Sequence, residues 1–175
     1  MYVRTGNNYM DFKLEKWDIK HLEDVVKHAN NRHISNNLRD VFPYPYTKED
    51  AAFFINDCIN NDEKNILKAI TINGHAVGSI SVIKLNDVNR KTAEIGYWIG
   101  EEFQNKGIMK KAVKMVIKEA FERMDIVRIE AEIFETNIPS RKVLENNGFK
   151  LEGRKEKSIF KNGKIMDSLI YAIIK

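Results

Sequence analysis

Ala93-Glu94-Ile95-Gly96-Tyr97-Trp98-Ile99, then Gly100-Glu101-Glu102-Phe103, then Gln104-Asn105-Lys106-Gly107-Ile108-Met109, is the stretch on which the reading of this 175-residue chain turns. The run Thr92 to Ile99 has the composition of a strand. Beyond the turn, Met109, Ala112, Val113, Val116, Ile117, Ala120, Phe121 and Met124 recur at i, i+3, i+4 spacing, the apolar stripe of a long helix. A strand that passes through a turn into a helix makes an anion site, because the first helical N–H groups lack intrahelical partners and carry the positive end of the dipole. Glycine at Gly107 lets an anion approach the backbone, Asn105 readily takes a positive φ, and Lys106 and Lys110 add charge at the rim. Taken alone, the glycine fits tight packing equally well. The lysine-serine/threonine ending of a Walker loop is missing, and so is the spacing of a dinucleotide fingerprint.

Working outward toward the N-terminus, Val77 to Leu85 and Asn65 to Ile72 read as strands joined by Asn73-Gly74, a type I′ hairpin signal. Before them, Thr47-Lys48-Glu49-Asp50 caps a helix whose apolar face is Ala51, Phe54, Ile55 and Cys58. The proline-rich Val41 to Tyr46 is a loop, Asn30 to Asp40 is polar, Leu22, Val25, Val26 and Ala29 fall at helical spacing, and Phe12 to Trp17 alternates as a strand. Toward the C-terminus, Val127 to Phe134 alternates as a strand and Pro139 to Asn147 reads as a helix stopped by Gly148. Two strands joined at Lys161-Asn162-Gly163 close the chain. The expected order is β, α, α, β, β, β, α, β, α, β, β. That is one α/β domain over residues 1–175, its sheet antiparallel through the hairpins and parallel across the long helix.

Composition removes several classes of function. With 43% hydrophobic residues, three prolines and nine glycines, the chain has enough apolar material for an ordinary core. Its apolar runs are far shorter than the ~18 residues of a membrane span, and the N-terminus has no apolar h-region, so a cytoplasmic protein without a membrane partner is expected. The net charge of +4 comes from 29 Lys plus Arg against 25 Asp plus Glu. The lysines at 106, 110, 111, 114 and 118 lack the interleaved aromatics of a nucleic-acid reader, so no nucleic acid is required and the distal ones read as a solvated helix face. The single cysteine, Cys58, sits in an apolar pattern as a packing thiol. No Cys or His cluster has metal spacing, so no metal is expected, and the four histidines receive no role. Oligomeric state is not written in the pattern; homodimers are the commonest assembly of soluble proteins.

Three segments in order, Ala93 to Ile99, Phe103 to Met109, and Asn137 to Phe149, resemble the GNAT superfamily of N-acetyltransferases. The likeness is to its branch of ribosomal-protein alanine (RimJ/RimL-like) and polyamine acetyltransferases. The tail, with Phe160, Gly163, Asp167 and Tyr171, looks like that branch's closing hairpin. The resemblance implies a mixed, mostly antiparallel sheet with a splayed central parallel pair and helices on both faces. It also implies acetyl-coenzyme A as cofactor, with pyrophosphate on the amides from Gln104 to Met109 and pantetheine along Tyr97, Trp98 and Ile99. Asn137 and Ser140 would touch the cofactor's other side. A free backbone N–H at the splay would stabilise the oxyanion developing on the acetyl carbonyl.

The chain departs from the family pattern at Met109, where a small residue is common, at Asn105, often glycine, and at Leu144, where many members place a tyrosine general acid. With no phenol at Leu144, Ser140 becomes the candidate donor to the leaving thiolate, although a serine there is also a good helix-terminus residue; Asn137 likewise suits an N-cap. Glu94 is the candidate base for an arriving ammonium, or else an exposed carboxylate paired with Lys91. Asp40, Tyr44 and Tyr46 lie where this family borders its acceptor; proline-braced tyrosines also simply pin loops. The expected activity is direct acetyl transfer to a primary amine of a protein N-terminus, polyamine or other small molecule. The rival reading is a non-catalytic coenzyme A-binding module on the same fold.

Overall fold

The computed structural model describes the backbone of residues 2–5 and 8–175, with side chains from Asp11 onward. Its elements in chain order are β1 (Tyr2–Thr5), β2 (Asn8–Asp11), β3 (Lys13–Lys16), α1 (Leu22–Ala29), α2 (Arg32–Ser35), α3 (Lys48–Asn61), β4 (Ile66–Ile72), β5 (His75–Lys84), β6 (Thr92–Ile99), α4 (Ile108–Arg123), β7 (Arg128–Phe134), α5 (Ile138–Glu145), β8 (Lys150–Lys161) and β9 (Lys164–Ile174). Two features go beyond the sequence pattern. The short hairpin β1–β2 precedes the main sheet, and the polar stretch after α1 contains the four-residue α2, started by Asn31, whose side chain accepts from the His33 and Ile34 amides. Three helices rather than two therefore separate β3 from β4.

The main sheet runs β3-β4-β5-β6-β7-β9-β8, and every neighbouring pair is antiparallel except β6–β7. Both predicted hairpin turns have the required left-handed pairs, Asn73 (φ 52) with Gly74 (φ 83) and Asn162 (φ 51) with Gly163 (φ 76). Because side chains alternate across a strand, β4 sends Ile66, Ile70 and Ile72 to one core and Leu67 and Ala69 to the other. The first core lies under α4 and α5, with Ile108, Val113, Val116 and Leu144. The second lies under α1 and α3, with Val25, Ile55, Cys58 and Trp98. A central strand buried on both faces reads as a continuous apolar run, as β4 does.

One interruption of the sheet positions everything that follows. The β6–β7 pairing runs from Thr92 opposite Arg128 to Glu94 opposite Glu130 and stops there, although the strands continue to Ile99 and Phe134. On its other edge β7 stays paired with β9 through Phe134 opposite Ser168. The two parallel strands thus part in the middle of the sheet.

Candidate active site

Helix α4 starts differently from its neighbours. Helix α3 is closed by a reciprocal Thr47–Asp50 capping box, and the Asn137 side chain accepts from the Ser140 amide to close α5. The N-cap of α4 is Gly107, which has no side chain to offer. The first bond inside the helix is from the Lys111 amide to the Gly107 carbonyl (3.3 Å), so the amides of Ile108, Met109 and Lys110 stand ahead of the ladder. Gly107 (φ 74) and Asn105 (φ 58) both take the left-handed conformation, which shapes the turn so that these amides open outward. The departures at Asn105 and Met109 have a physical reading here. Asparagine tolerates the left-handed region, and the Met109 side chain is buried in the core, leaving its backbone clear.

The turn opens on a cavity of about 440 Å³. Its lining includes Tyr97, Trp98, Ile99, the whole run Gln104 to Lys110, Asn137 and Ser140, so the structure brings together all twelve residues expected at the cofactor, from the resemblance or, for Lys110, from the charge at the rim of the turn. Sequence reasoning missed His33, Ile34, Asn37 and Leu38 from α2 and its exit, which line the same cavity. A second cavity, of about 690 Å³, lies on the other side of β6 and contains Arg39, Asp50, Asp57, Glu94 and Glu132. The two cavities share Asn37, Leu38, Tyr97 and Trp98.

At this junction the Tyr97 and Ser140 hydroxyls lie 2.9 Å apart, a hydrogen bond from β6 to α5 across the parting strands. Burial pushes the Tyr97 phenol up to about 12, against the opposing effect of Ser140, so both groups keep their protons at neutral pH. Leu144, by contrast, is fully buried in the core under α4 and lines neither cavity. Backbone polarity follows from two bonds: the Leu85 amide donates to the Thr92 carbonyl and the Gly100 amide to the Val77 carbonyl. Even-numbered residues of β6 therefore direct their N–H and C=O toward β5, and odd-numbered ones toward the splay. The Glu94–Glu130 pair is made through the neighbours of Glu94 and uses the Ile95 amide; past it, the amides of Tyr97 and Ile99 face a gap with no strand beside it, and the Ile99 carbonyl there accepts from Gln104 Nε2 (3.2 Å).

Residues 11–150 match the acetyltransferase (GNAT) domain family. The chain belongs to that family. YdaF of Bacillus subtilis (strain 168) is 38% identical over 114 residues, 65% of this chain and 62% of YdaF. The ribosomal-protein-serine acetyltransferase of Escherichia coli (strain K12) is 35% identical over 98 residues, 56% of this chain and 54% of that enzyme. The aligned part thus spans little more than half the length of these relatives. Among solved structures, the microcin C7 self-immunity acetyltransferase MccE, in complex with acetyl-CoA and AMP, superposes with a TM-score of 0.80. It shares 28% identity with this chain and covers 94% of it and 93% of MccE.

Within this GNAT fold the remaining expected residues fall in different places. Glu94 lines the second cavity, and its partner is Arg39, while Lys91 instead pairs with Asp125. Lys91 lies in the turn before β6, which begins at Thr92, and so is not placed by the strand's alternation beside Glu94. Tyr46 is buried and lines the second cavity. Tyr44 lies outside both cavities beneath the Arg32 guanidinium, and the Asp40 carboxylate accepts from Lys161 Nζ (2.8 Å). Sequence reasoning did not single out Arg39 or Glu132. Glu132 accepts from Ser168 Oγ (2.5 Å) and Lys155 Nζ (3.2 Å); burial pushes its carboxyl up, and these bonds outweigh that to hold it below the usual range. The sheet's register, set by β9, gathers these groups, and no local pattern announces it. Cys58 lies in neither cavity, and burial pushes its thiol up to about 12, which keeps it un-ionised.

Proposed function

We propose that this chain is an acetyl-coenzyme A-dependent N-acetyltransferase that delivers the acetyl group directly to a primary amine, with no acyl-enzyme stage. The observation that carries this reading is the meeting of two cavities at Tyr97 and Trp98, one opening on the uncapped start of α4 and the other lined by carboxylates. The cosubstrate, when bound, supplies the acetyl thioester. The free amides of Ile108 to Lys110, aided by Lys106 and Lys110, hold its pyrophosphate. Tyr97, Trp98 and Ile99 flank the pantetheine, and Asn137 borders it from α5. One of the amides of Tyr97 or Ile99, beyond the end of the β6–β7 ladder, donates to the acetyl carbonyl oxygen, where negative charge develops.

The second cavity suits a cation, with Asp50, Asp57, Glu94 and Glu132 against the single Arg39. An ammonium arriving there competes with Arg39 for Glu94 and passes its proton to that carboxylate, directly or through water. The Tyr97–Ser140 hydroxyl pair then protonates the leaving thiolate. Holding the two reactants in line supplies about 7–11 kcal/mol of barrier reduction, which leaves a modest task for acid and base. For the acceptor, the name of the E. coli relative, a ribosomal-protein-serine acetyltransferase, favours a protein; the carboxylates are equally compatible with a polyamine.

The test is mass spectrometry after incubation with isotopically labelled acetyl-coenzyme A and three acceptors: an N-terminal serine heptapeptide, spermidine, and a cell lysate. A labelled amide on any of them is the expected result. Tight cofactor binding with no labelled amide anywhere would overturn the proposal and leave a coenzyme A-binding module.

A further inference from the structure

Asn37 and Leu38 form part of the wall where the two cavities meet, yet they belong to an irregular segment between α2 and α3 with no strand or helix of its own to hold it. The segment is tied at Asn36, Arg39 and Asp40 to distant elements. Arg39 reaches β6 at Glu94. Asp40 accepts from Lys161 Nζ at 2.8 Å, and Asn36 Oδ1 accepts from Asn162 Nδ2 at 2.8 Å. Lys161 and Asn162 sit at the tip of the β8–β9 hairpin, more than 120 residues along the chain. The Lys161 side chain is only 6% exposed, whereas that of Asp40 is 84% exposed. A lysine that deeply buried needs a paired charge, and among the described residues Asp40 supplies it.

We infer that the β8–β9 tip is a latch on the acceptor site and that Lys161 is its positioning residue, holding residues 36–40 against the cavity junction through Asp40. Lys161 touches neither cavity itself. It acts through the loop: with the latch closed, Asn37 and Leu38 keep their places at the junction and Arg39 stays aligned with Glu94. With it open, the amine meets a loosened wall while the start of α4, on the far side of β6, is undisturbed. This inference rests on the acetyltransferase reading for its kinetic consequence and on the geometry alone for its structural one, so the two can fail separately.

The test uses the full chain with Lys161→Met, Lys161→Arg and Asp40→Asn. Hydrogen–deuterium exchange is followed by mass spectrometry in peptides covering residues 34–42. Lys161→Met and Asp40→Asn are expected to raise uptake there by about tenfold in rate without changing peptides of α4. Combining the two should add nothing, since each breaks the same pair. Lys161→Arg, which keeps the charge, should restore protection. With an N-terminal serine heptapeptide or spermidine as probe amine, Lys161→Met should raise KM for the amine by about tenfold and change acetyl-coenzyme A affinity by much less, because Asn37 and Leu38 line both cavities but the start of α4 is untouched. Wild-type exchange at residues 34–42 in Lys161→Met, or a purely additive double variant, would overturn the latch. If the wild type acetylates neither probe, the acceptor reading is at fault, and the exchange data still decide the latch.

Discussion

Two hydroxyls meeting at 2.9 Å across the gap between β6 and α5 join Tyr97 and Ser140 in one hydrogen-bonded pair. Deleting either leaves the other without its partner, so the two losses should overlap. We expect Ser140→Ala to lower kcat by about 10²–10⁴-fold, the range for a positioned acid, and Tyr97→Phe to do the same. The double variant should be no slower than the worse single one. Multiplicative losses would show two independent roles, and a loss of only severalfold would reduce Ser140 to a cofactor contact. A second residue-scale prediction concerns stability. His21 is 1% exposed, edge-on to Trp17, and neither ring nitrogen has a partner among the described residues. Burial lowers its affinity for a proton below that of the unfolded chain. The unfolded state therefore binds the extra proton first, and stability, complete at neutral pH, falls as pH drops below about 6.5. Urea midpoints between pH 7.5 and 5.5 should decline in the wild type and less steeply in His21→Leu. The difference is bounded by about 1.4 kcal/mol per pH unit for one proton. His28, shifted the same way by burial, keeps part of the slope. An identical slope in the variant would remove His21 from the account.

Strand β5 has to approach β6 closely at one point. A Cβ on Gly78 would lie 2.5 Å from the Trp98 carbonyl oxygen, a backbone atom that cannot move aside without shifting the strand that carries Tyr97 and Trp98. Gly78→Ala should therefore cost about 1–3 kcal/mol of stability, as overpacking does, and weaken acetyl-coenzyme A binding through the displaced strand. Calorimetry with urea unfolding checks both, and a variant as stable and as tightly binding as wild type would show that the sheet absorbs the methyl group. The helices make the complementary point. A capping box closes α3 and Asn137 closes α5, while α4, begun by a left-handed glycine, keeps its first amides for an outside acceptor. That contrast was legible in the sequence, because a cap is a local arrangement of residues three apart. Helix α2 was not. Four residues carry too little periodicity to rise above a polar stretch, and what holds them is the burial of Ile34 and Ser35 against other elements.

Across the molecule the two cavities differ in charge. Lys106, Lys110 and Lys142 outnumber Glu101 around the first cavity, and Asp50, Asp57, Glu94 and Glu132 outnumber Arg39 around the second. Such fields act at ranges comparable with the ~10 Å Debye length at 0.1 M salt. The KM for spermidine should therefore rise as ionic strength increases, with kcat little changed, and more steeply than the KM for a singly charged amine. Equal salt dependence for both amines would mean that the acceptor cavity does not read charge. Much of this architecture was readable beforehand because it is local. The I′ turns, the strand composition of β6 and the glycine that opens α4 are each fixed by neighbours within a few residues, so the main elements and the β6, α4 and α5 walls of the first cavity were legible in sequence, whereas its α2 wall was not. The acceptor side is different. Arg39 meets Glu94 across 55 positions, Glu132 meets Ser168 across 36 and Asp40 meets Lys161 across 121. No spacing rule encodes contacts of that separation; they exist only once strand register and the return of the β8–β9 hairpin have set which side chains share a face. The sequence by itself determined the left-handed turn that leaves the first amides of α4 uncapped, through local backbone conformation, and tertiary structure alone decided which charges line the second cavity, because pairing between distant charges is a property of the assembled sheet.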